Sequence, residues 1–224
     1  NLTHATEAVR LLSAHTRIPE MIVVGISHRR RNWELTTAPA ATWTYPPQLG
    51  EVGGADRFLE AMAVDVVPWV DRTFRTLPHR IVLGHSLGGM VAWHALATRP
   101  TLFRTYLIVD GSVFWNHGQV VDEVERALKS ATPPPARIFW VRDAIPHEVW
   151  FPENHRLKAL VDTPPSPVTH ITFHEEPNES HGTVVYPGTY LGLKGLFVDY
   201  RAAARPDWTV AELDAYYAAL SRTY

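Results

Sequence analysis

Residues 80–97 read RIVLGHSLGGMVAWHALA and contain a G-x-S-x-G motif from Gly84 to Gly88. The apolar run before the motif predicts a strand, and the run after it has no helix breaker and predicts a helix. A serine on such a tight turn is strained, and glycines on both sides avoid collisions with the neighbouring backbone. The pattern therefore predicts that Ser86 is a nucleophile. The Leu87 N–H would be an oxyanion donor, because the first N–H groups of a helix lack intrahelical partners.

Apolar runs that predict strands alternate along the chain with helical patterns. The predicted strands are 21–26, 80–84, 105–110, 137–142 and 168–174. This alternation is typical of an α/β fold, with a mostly parallel sheet covered by helices on both faces. The length of 224 residues favours one domain, 1–224.

The end of the chain carries a capping-box pattern, T-V-A-E, from Thr209 to Glu212. This pattern predicts a C-terminal helix over 209–220. Its apolar residues recur on one face, and we expect that face to pack on the outside of the sheet.

Composition excludes several classes of partner and site. A formal net charge of -2, with no basic stripe, argues against nucleic acid. The apolar runs are shorter than the roughly 20 residues of a membrane span. Zero cysteines exclude disulfides, thiolate metal sites and a cysteine nucleophile, and they are compatible with a cytoplasmic, periplasmic or secreted protein. The expected partner is a small-molecule ester, and the oligomeric state is left open.

A serine nucleophile needs a histidine base, and in this architecture the chain order is Ser86, then an acid, then the histidine. His181 fits best, because it follows the last predicted strand and a polar loop. Asp143 is the first choice for the acid, since it ends a predicted strand at the same edge of the sheet as the nucleophile. Glu148 and Asp110 are open alternatives.

A zinc site is the competing interpretation of the late histidines. His170, His174 and His181 lie near Glu175, but they do not form H-E-x-x-H or any comparable helical spacing. The sequence therefore predicts no metal and no organic cofactor.

Five segments resemble, in order, landmarks of the α/β-hydrolase esterases of the ferric-enterobactin (siderophore) esterase type, which are related to esterase D and the mycolyltransferases. They are IPEMIVVGI at 18–26, GGADRFL at 53–59, GHSLGG at 84–89, SVFWN at 112–116 and HGTV at 181–184. The resemblance covers roughly residues 15–199 and implies an α/β-hydrolase fold and carboxylic ester hydrolysis by Ser86 and His181. It also implies that Trp115 lies near the substrate pocket.

The same resemblance leaves three points open. Family members differ in whether an acid completes the triad, so a Ser86–His181 dyad is an alternative. Family members carry further N-terminal strands and a loop that completes the oxyanion hole, and we expect these to lie before Asn1. The region after Val141 matches loosely.

The expected substrate is a siderophore trilactone or a short acyl or aryl ester. Arg31 and its two arginine neighbours could line the rim and attract an anionic substrate, or they could form a solvated loop. Two other functions stay open: an acyltransferase on the same fold, and a catalytically silent hydrolase-fold protein used for binding.

Overall fold

A four-stranded parallel sheet forms the centre of the protein, in the order β1-β2-β3-β4. The computed structural model describes residues 2–144, 151–200 and 208–223. The strands are β1 Ile81–His85, β2 Thr105–Val109, β3 Ala136–Asp143 and β4 Thr169–Glu176. The predicted parallel α/β sheet is confirmed, since all three pairings are parallel.

Helices precede the first strand, connect each strand to the next and follow the last one. Within the described ranges they are α1 Leu2–Ala14, α2 Arg31–Glu34, α3 Ala55–Ala61, α4 Val67–Thr73, α5 Leu87–Thr98, α6 Trp115–Leu128, α7 Pro152–Asp162, α8 Val185–Leu196 and α9 Val210–Thr223. A π-helical segment, Met62–Val66, joins α3 to α4.

The core lies on both faces of the sheet, as the alternation of side chains along a strand requires. On β2, Tyr106 and Ile108 belong to one cluster, with α5 and α6, whereas Leu107 and Val109 belong to the other, with α1 and α8. Each of these four residues is 0% exposed. Strands buried on both faces explain why β2 reads as a continuous apolar run.

The predicted strand at 21–26 is wrong. The segment has no regular secondary structure, and no strand of the described residues pairs with it. Its alternation is nevertheless strand-like, since Met21 and Val23 pack against the core while Ile22 and Val24 are 47% and 46% exposed. Apolar alternation decides which side chains are buried, but a strand also needs a backbone partner.

The C-terminal helix is confirmed, with bounds Val210–Thr223 instead of 209–220. The Glu212 N–H donates to the Thr209 hydroxyl at 3.3 Å, and the Thr209 N–H donates to the Glu212 carboxylate at 2.7 Å, which forms the capping box. The expected packing of its apolar face on the sheet is wrong, because Val210 and Tyr217 are 76% and 53% exposed.

Candidate active site

The G-x-S-x-G motif forms a sharp turn between β1 and α5. Ser86 has φ 61° and ψ −123°, a conformation that costs energy for a residue with a side chain. A Cβ built at Gly84 would fall on the Gly88 carbonyl, whereas a Cβ at Gly88 would meet nothing within 4 Å. The predicted collision therefore applies to Gly84 and not to Gly88. Gly89 is the second constrained glycine, because a Cβ there would lie 2.8 Å from the Gly111 Cα.

Leu87 is the first residue of α5. Its N–H is one of the first four of the helix, which have no intrahelical acceptor, and it follows the nucleophile directly. The backbone beside it is well anchored: the Ser86 N–H donates to the Val109 carbonyl at 3.1 Å, and the Met90 N–H donates to the Ser86 carbonyl at 3.1 Å. A fixed N–H at a helix N-terminus can stabilise negative charge that develops above Ser86.

Three side chains form a hydrogen-bonded chain at the carboxyl edge of the sheet. The Ser86 hydroxyl donates to Nε2 of His181 at 3.1 Å, and Nδ1 of His181 donates to Oδ2 of Asp110 at 2.5 Å. Oδ1 of Asp110 accepts from Nε of Arg142 at 3.0 Å. Asp110 is buried, whereas the His181 side chain is 52% exposed. The structure thus brings a serine hydroxyl, an imidazole and a carboxylate into one chain of contacts.

The acid in contact with His181 is Asp110, and the first choice from the sequence, Asp143, is not in that position. The strand register explains the difference: His85 pairs with Val109, so Ser86 and Asp110 follow paired positions on adjacent strands. Asp143 ends β3, two strands from β1. Adjacent strands lie about 4.8 Å apart, so one strand spacing suits a single imidazole bridge and two do not.

Asp143 instead lies buried, at 0% exposure. Neither carboxylate oxygen has a hydrogen-bond partner among the residues that the structure describes, and Nη2 of Arg142 lies 3.7 Å from Oδ1. The other alternative for the acid, Glu148, lies outside the described residues.

The electrostatics of the site follow from these contacts. The hydrogen bond to Asp110 raises the pKa of His181, against the effect of its burial. Burial opposes ionisation of Asp110, but the His181 hydrogen bond and the charge of Arg142 outweigh it and lower the pKa of Asp110. Burial, and then repulsion from Asp110, raise the pKa of Asp143. Asp110 is thus held ionised beside a histidine that readily takes a proton.

The residue before Ser86, His85, also contacts His181. Its Nε2 donates to the backbone carbonyl of His181 at 2.7 Å, and the two imidazole rings lie 4.9 Å apart. Arg31 is exposed at the start of α2, and its positive charge contributes to lowering the pKa of His85 after the larger effect of burial. The contact of Arg31 with a substrate stays a prediction.

Trp115 is a buried residue, 3% exposed. Its indole N–H donates to the Thr37 carbonyl at 3.1 Å, and its ring packs against Trp43 and Tyr45 at centroid distances of 6.0 and 5.6 Å. The implied place of Trp115 near a substrate pocket stays a prediction, and the indole itself is enclosed by the protein.

The sequence predicts no role for two further features, of which the first, Ser112, lies beside Ser86. The Ser112 hydroxyl lies 3.4 Å from the Ser86 hydroxyl, and the Ser112 N–H donates to the Ser86 carbonyl at 3.1 Å. Two residues further on, the ring of Phe114 packs at a tilt against that of Phe151, with centroids 4.6 Å apart, and the two residues are 36% and 52% exposed. Ser112 could have been found from its position just after β2, the neighbour of the strand that carries the nucleophile.

The described residues contain no group of three or more histidine, aspartate and glutamate side chains that could hold a metal ion. The late histidines do not converge: His181 pairs with Asp110, whereas His174 pairs with Glu176 at 2.9 Å. Across the described ranges, every helix is too short or too polar to cross a membrane.

Solved structures similar to this chain define its fold. An IroE-like serine hydrolase from Shewanella oneidensis has a TM-score of 0.84 and 26% identity, over 98% of this chain and 73% of that one. The BES protein from Bacillus cereus has a TM-score of 0.72 over 87% of this chain and 80% of that one, and at 20% identity it supports the fold alone. The protein has an α/β-hydrolase fold, as the sequence predicts.

Sequence relatives and a family model identify the family of this chain. A siderophore enterobactin esterase from Emericella nidulans is 33% identical over 46% of this chain and 36% of its own length. The ferri-bacillibactin esterase BesA from Bacillus subtilis is 30% identical over 50% of this chain and 44% of its own length. The chain spans less than half the length of these two relatives. The Esterase family model matches residues 1–143, and the chain therefore belongs to this esterase family. The resemblance to siderophore esterases is confirmed.

Proposed function

We propose that this protein is a serine carboxylic-ester hydrolase that works through an acyl-enzyme intermediate, with Ser86 as nucleophile, His181 as base and Asp110 as the acid. The observation that carries this proposal is the unbroken hydrogen-bonded chain from Asp110 through His181 to Ser86. Its order of acid, imidazole and hydroxyl is the arrangement that activates a serine.

The first step is proton transfer from the Ser86 hydroxyl to Nε2 of His181 as the hydroxyl oxygen attacks the ester carbonyl. Asp110 accepts from Nδ1, which fixes the tautomer with a free Nε2 and stabilises the imidazolium that forms. His181 then returns the proton to the departing alcohol. Water attacks the acyl-enzyme by the same route and releases the acid.

The negative charge on the carbonyl oxygen forms beside the N-terminus of α5, where the Leu87 N–H is the proposed donor. The interaction strengthens as the oxygen changes from a carbonyl to an oxyanion, so it accelerates the reaction more than it tightens substrate binding.

Open access to the base favours hydrolysis over acyl transfer to another alcohol. The His181 side chain is about half exposed, at 52%, so water can reach Nε2 after the first alcohol departs. An acyltransferase has to keep water from that position.

The proposed substrate is a siderophore trilactone or a short acyl or aryl ester. Support comes from the similarity to siderophore esterases over about half of this chain. The positive charge of Arg31, which contributes to lowering the pKa of His85, is compatible with an anionic substrate.

The test compares the wild-type protein with Ser86→Ala and a matched control, Ser130→Ala, which removes an exposed hydroxyl at the end of α6. The substrates are p-nitrophenyl acetate, p-nitrophenyl butyrate and a siderophore trilactone. A fluorophosphonate and mass spectrometry locate the reactive serine. Product analysis with an added alcohol distinguishes hydrolysis from transfer.

We expect hydrolysis and labelling at residue 86 in the wild type and in Ser130→Ala, and loss of both in Ser86→Ala. Equal rates in Ser86→Ala and the wild type would refute a serine mechanism. A new ester as the main product would identify a transferase. A wild type that neither hydrolyses nor labels would indicate a silent binding protein.

A further inference from the structure

The proposed base, His181, lies on a short turn after β4 whose hydrogen bonds are largely internal. The Ser180 N–H donates to the Thr183 hydroxyl at 2.9 Å, and the Val184 N–H donates to the Ser180 carbonyl at 2.9 Å. Ser180, His181 and Thr183 are exposed. These bonds fix the shape of the turn but not its position over β1.

His85 connects this turn to the strand that carries the nucleophile. It is the last residue of β1 and directly precedes Ser86. Its Nε2 donates to the His181 carbonyl at 2.7 Å. His181 is therefore bound by two consecutive residues at the end of β1. His85 binds its backbone carbonyl, and Ser86 binds its imidazole.

We infer that His85 is a positioning residue that holds the backbone of His181 over Ser86, an inference that rests on the proposed function. Asp110 and Ser86 act on the imidazole of His181, whereas His85 acts on its backbone carbonyl. With only the ring bonds, the turn could shift and carry Nε2 away from the nucleophile. With the third bond, the base is fixed at both ends of its side chain.

The charge of His85 is consistent with this role. The pKa of His85 is lowered, mainly by burial and to a smaller extent by the charges of His181 and Arg31. The bond to the His181 carbonyl and the charge of Asp110 oppose this shift. A neutral His85 with its proton on Nε2 donates to the carbonyl without placing a second cation against the imidazolium that His181 becomes.

The test uses His85→Leu, which removes the donor, and His85→Gln, whose amide nitrogen reaches approximately the place of Nε2. His15→Leu, at an exposed position beyond α1, is the matched control. Active sites are counted with a fluorophosphonate, and kcat and KM for p-nitrophenyl acetate are expressed per titrated site. Hydrogen exchange of the peptide over residues 176–184 reports the anchoring of the turn independently of activity.

In His85→Leu we expect kcat to fall roughly 10- to 100-fold, the cost of a small misplacement of a catalytic group, with KM within about twofold. Hydrogen exchange in 176–184 should accelerate. His85→Gln should recover kcat to within about threefold of the wild type and restore slow exchange. Because glutamine donates a hydrogen bond but does not titrate, this recovery would show that the hydrogen bond, and not the charge of the ring, is what matters. His15→Leu should behave as the wild type.

Three results would overturn the inference: an unchanged kcat in His85→Leu, equal losses in the leucine and glutamine variants, or exchange in 176–184 that is the same in all variants. A wild type that neither hydrolyses nor labels would count against the proposed function instead. In that case the exchange data alone would still decide whether His85 anchors the turn.

Discussion

The substitution Asp110→Asn tests whether Asp110, and not the nearby Asp143, is the acid that orients His181. Oδ1 of Asp110 accepts from Nε of Arg142 at 3.0 Å, and Oδ2 accepts from Nδ1 of His181 at 2.5 Å. An arginine can only donate, so the asparagine must turn its carbonyl oxygen toward Arg142. Its NH₂ group then faces His181.

This orientation forces the wrong tautomer on the base. Nδ1 of His181 has to accept from the new NH₂ group, so the ring proton moves to Nε2, which can no longer accept from Ser86. A forced tautomer of this kind lowers kcat by about 10³- to 10⁴-fold. At about 1.36 kcal/mol per factor of ten, the loss corresponds to about 4–5.5 kcal/mol of transition-state stabilisation. The bond to Arg142 is kept, so we expect the fold to be retained.

The matched control is Asp143→Asn, which alters a buried carboxyl 3.7 Å from the same arginine. It leaves the tautomer of His181 unchanged, and we expect kcat to change by less than about tenfold. Steady-state hydrolysis of p-nitrophenyl acetate, per site titrated with a fluorophosphonate, gives both values, and thermal unfolding reports the fold. Near wild-type activity in Asp110→Asn, or an equal loss in Asp143→Asn, would refute the assignment of Asp110.

Three further predictions follow from the geometry. The hydrogen bond that His181 donates to Asp110 raises the pKa of His181 above its ordinary value of 6.5. His181 must be neutral to act as a base, so kcat/KM should rise with pH along a limb centred above 6.5, and a pH–rate profile with its midpoint below 6.5 would contradict this. Gly84→Ala should lower Tm by about 6–12 °C through overpacking of roughly 3 kcal/mol, whereas Gly88→Ala should unfold near the wild type in the same calorimetric scan. Burial lowers the pKa of His94, but its two carboxylate partners outweigh burial and raise that pKa. The stability that His94 contributes is therefore complete below pH 6.5 and is lost as pH rises through its folded-state pKa. Tm of the wild type should fall more between about pH 6 and 9 than Tm of His94→Gln, and parallel curves would contradict this.

Local patterns were sufficient for the elements that carry Ser86 and for the position of His181 after β4. The apolar run, the glycines and the helix after Ser86 all describe one strand–turn–helix unit, and His181 follows the last strand of the sheet. The segment 21–26 shows where such patterns fail. Its apolar alternation correctly indicates that Met21 and Val23 face the core, but pairing depends on a second strand that no local window contains.

Strand order, taken together with strand ends, favours Asp110 over Asp143 as the carboxylate that contacts His181. Both Asp110 and Asp143 close a predicted strand, so position at the carboxyl edge does not separate them. Consecutive parallel strands in an α/β fold usually lie side by side. The strand that ends at Asp110 is the next one after the strand of Ser86, whereas the strand of Asp143 comes one later. An imidazole that bonds both the serine and the acid spans one strand spacing of about 4.8 Å, which favours Asp110 before any side chain is placed.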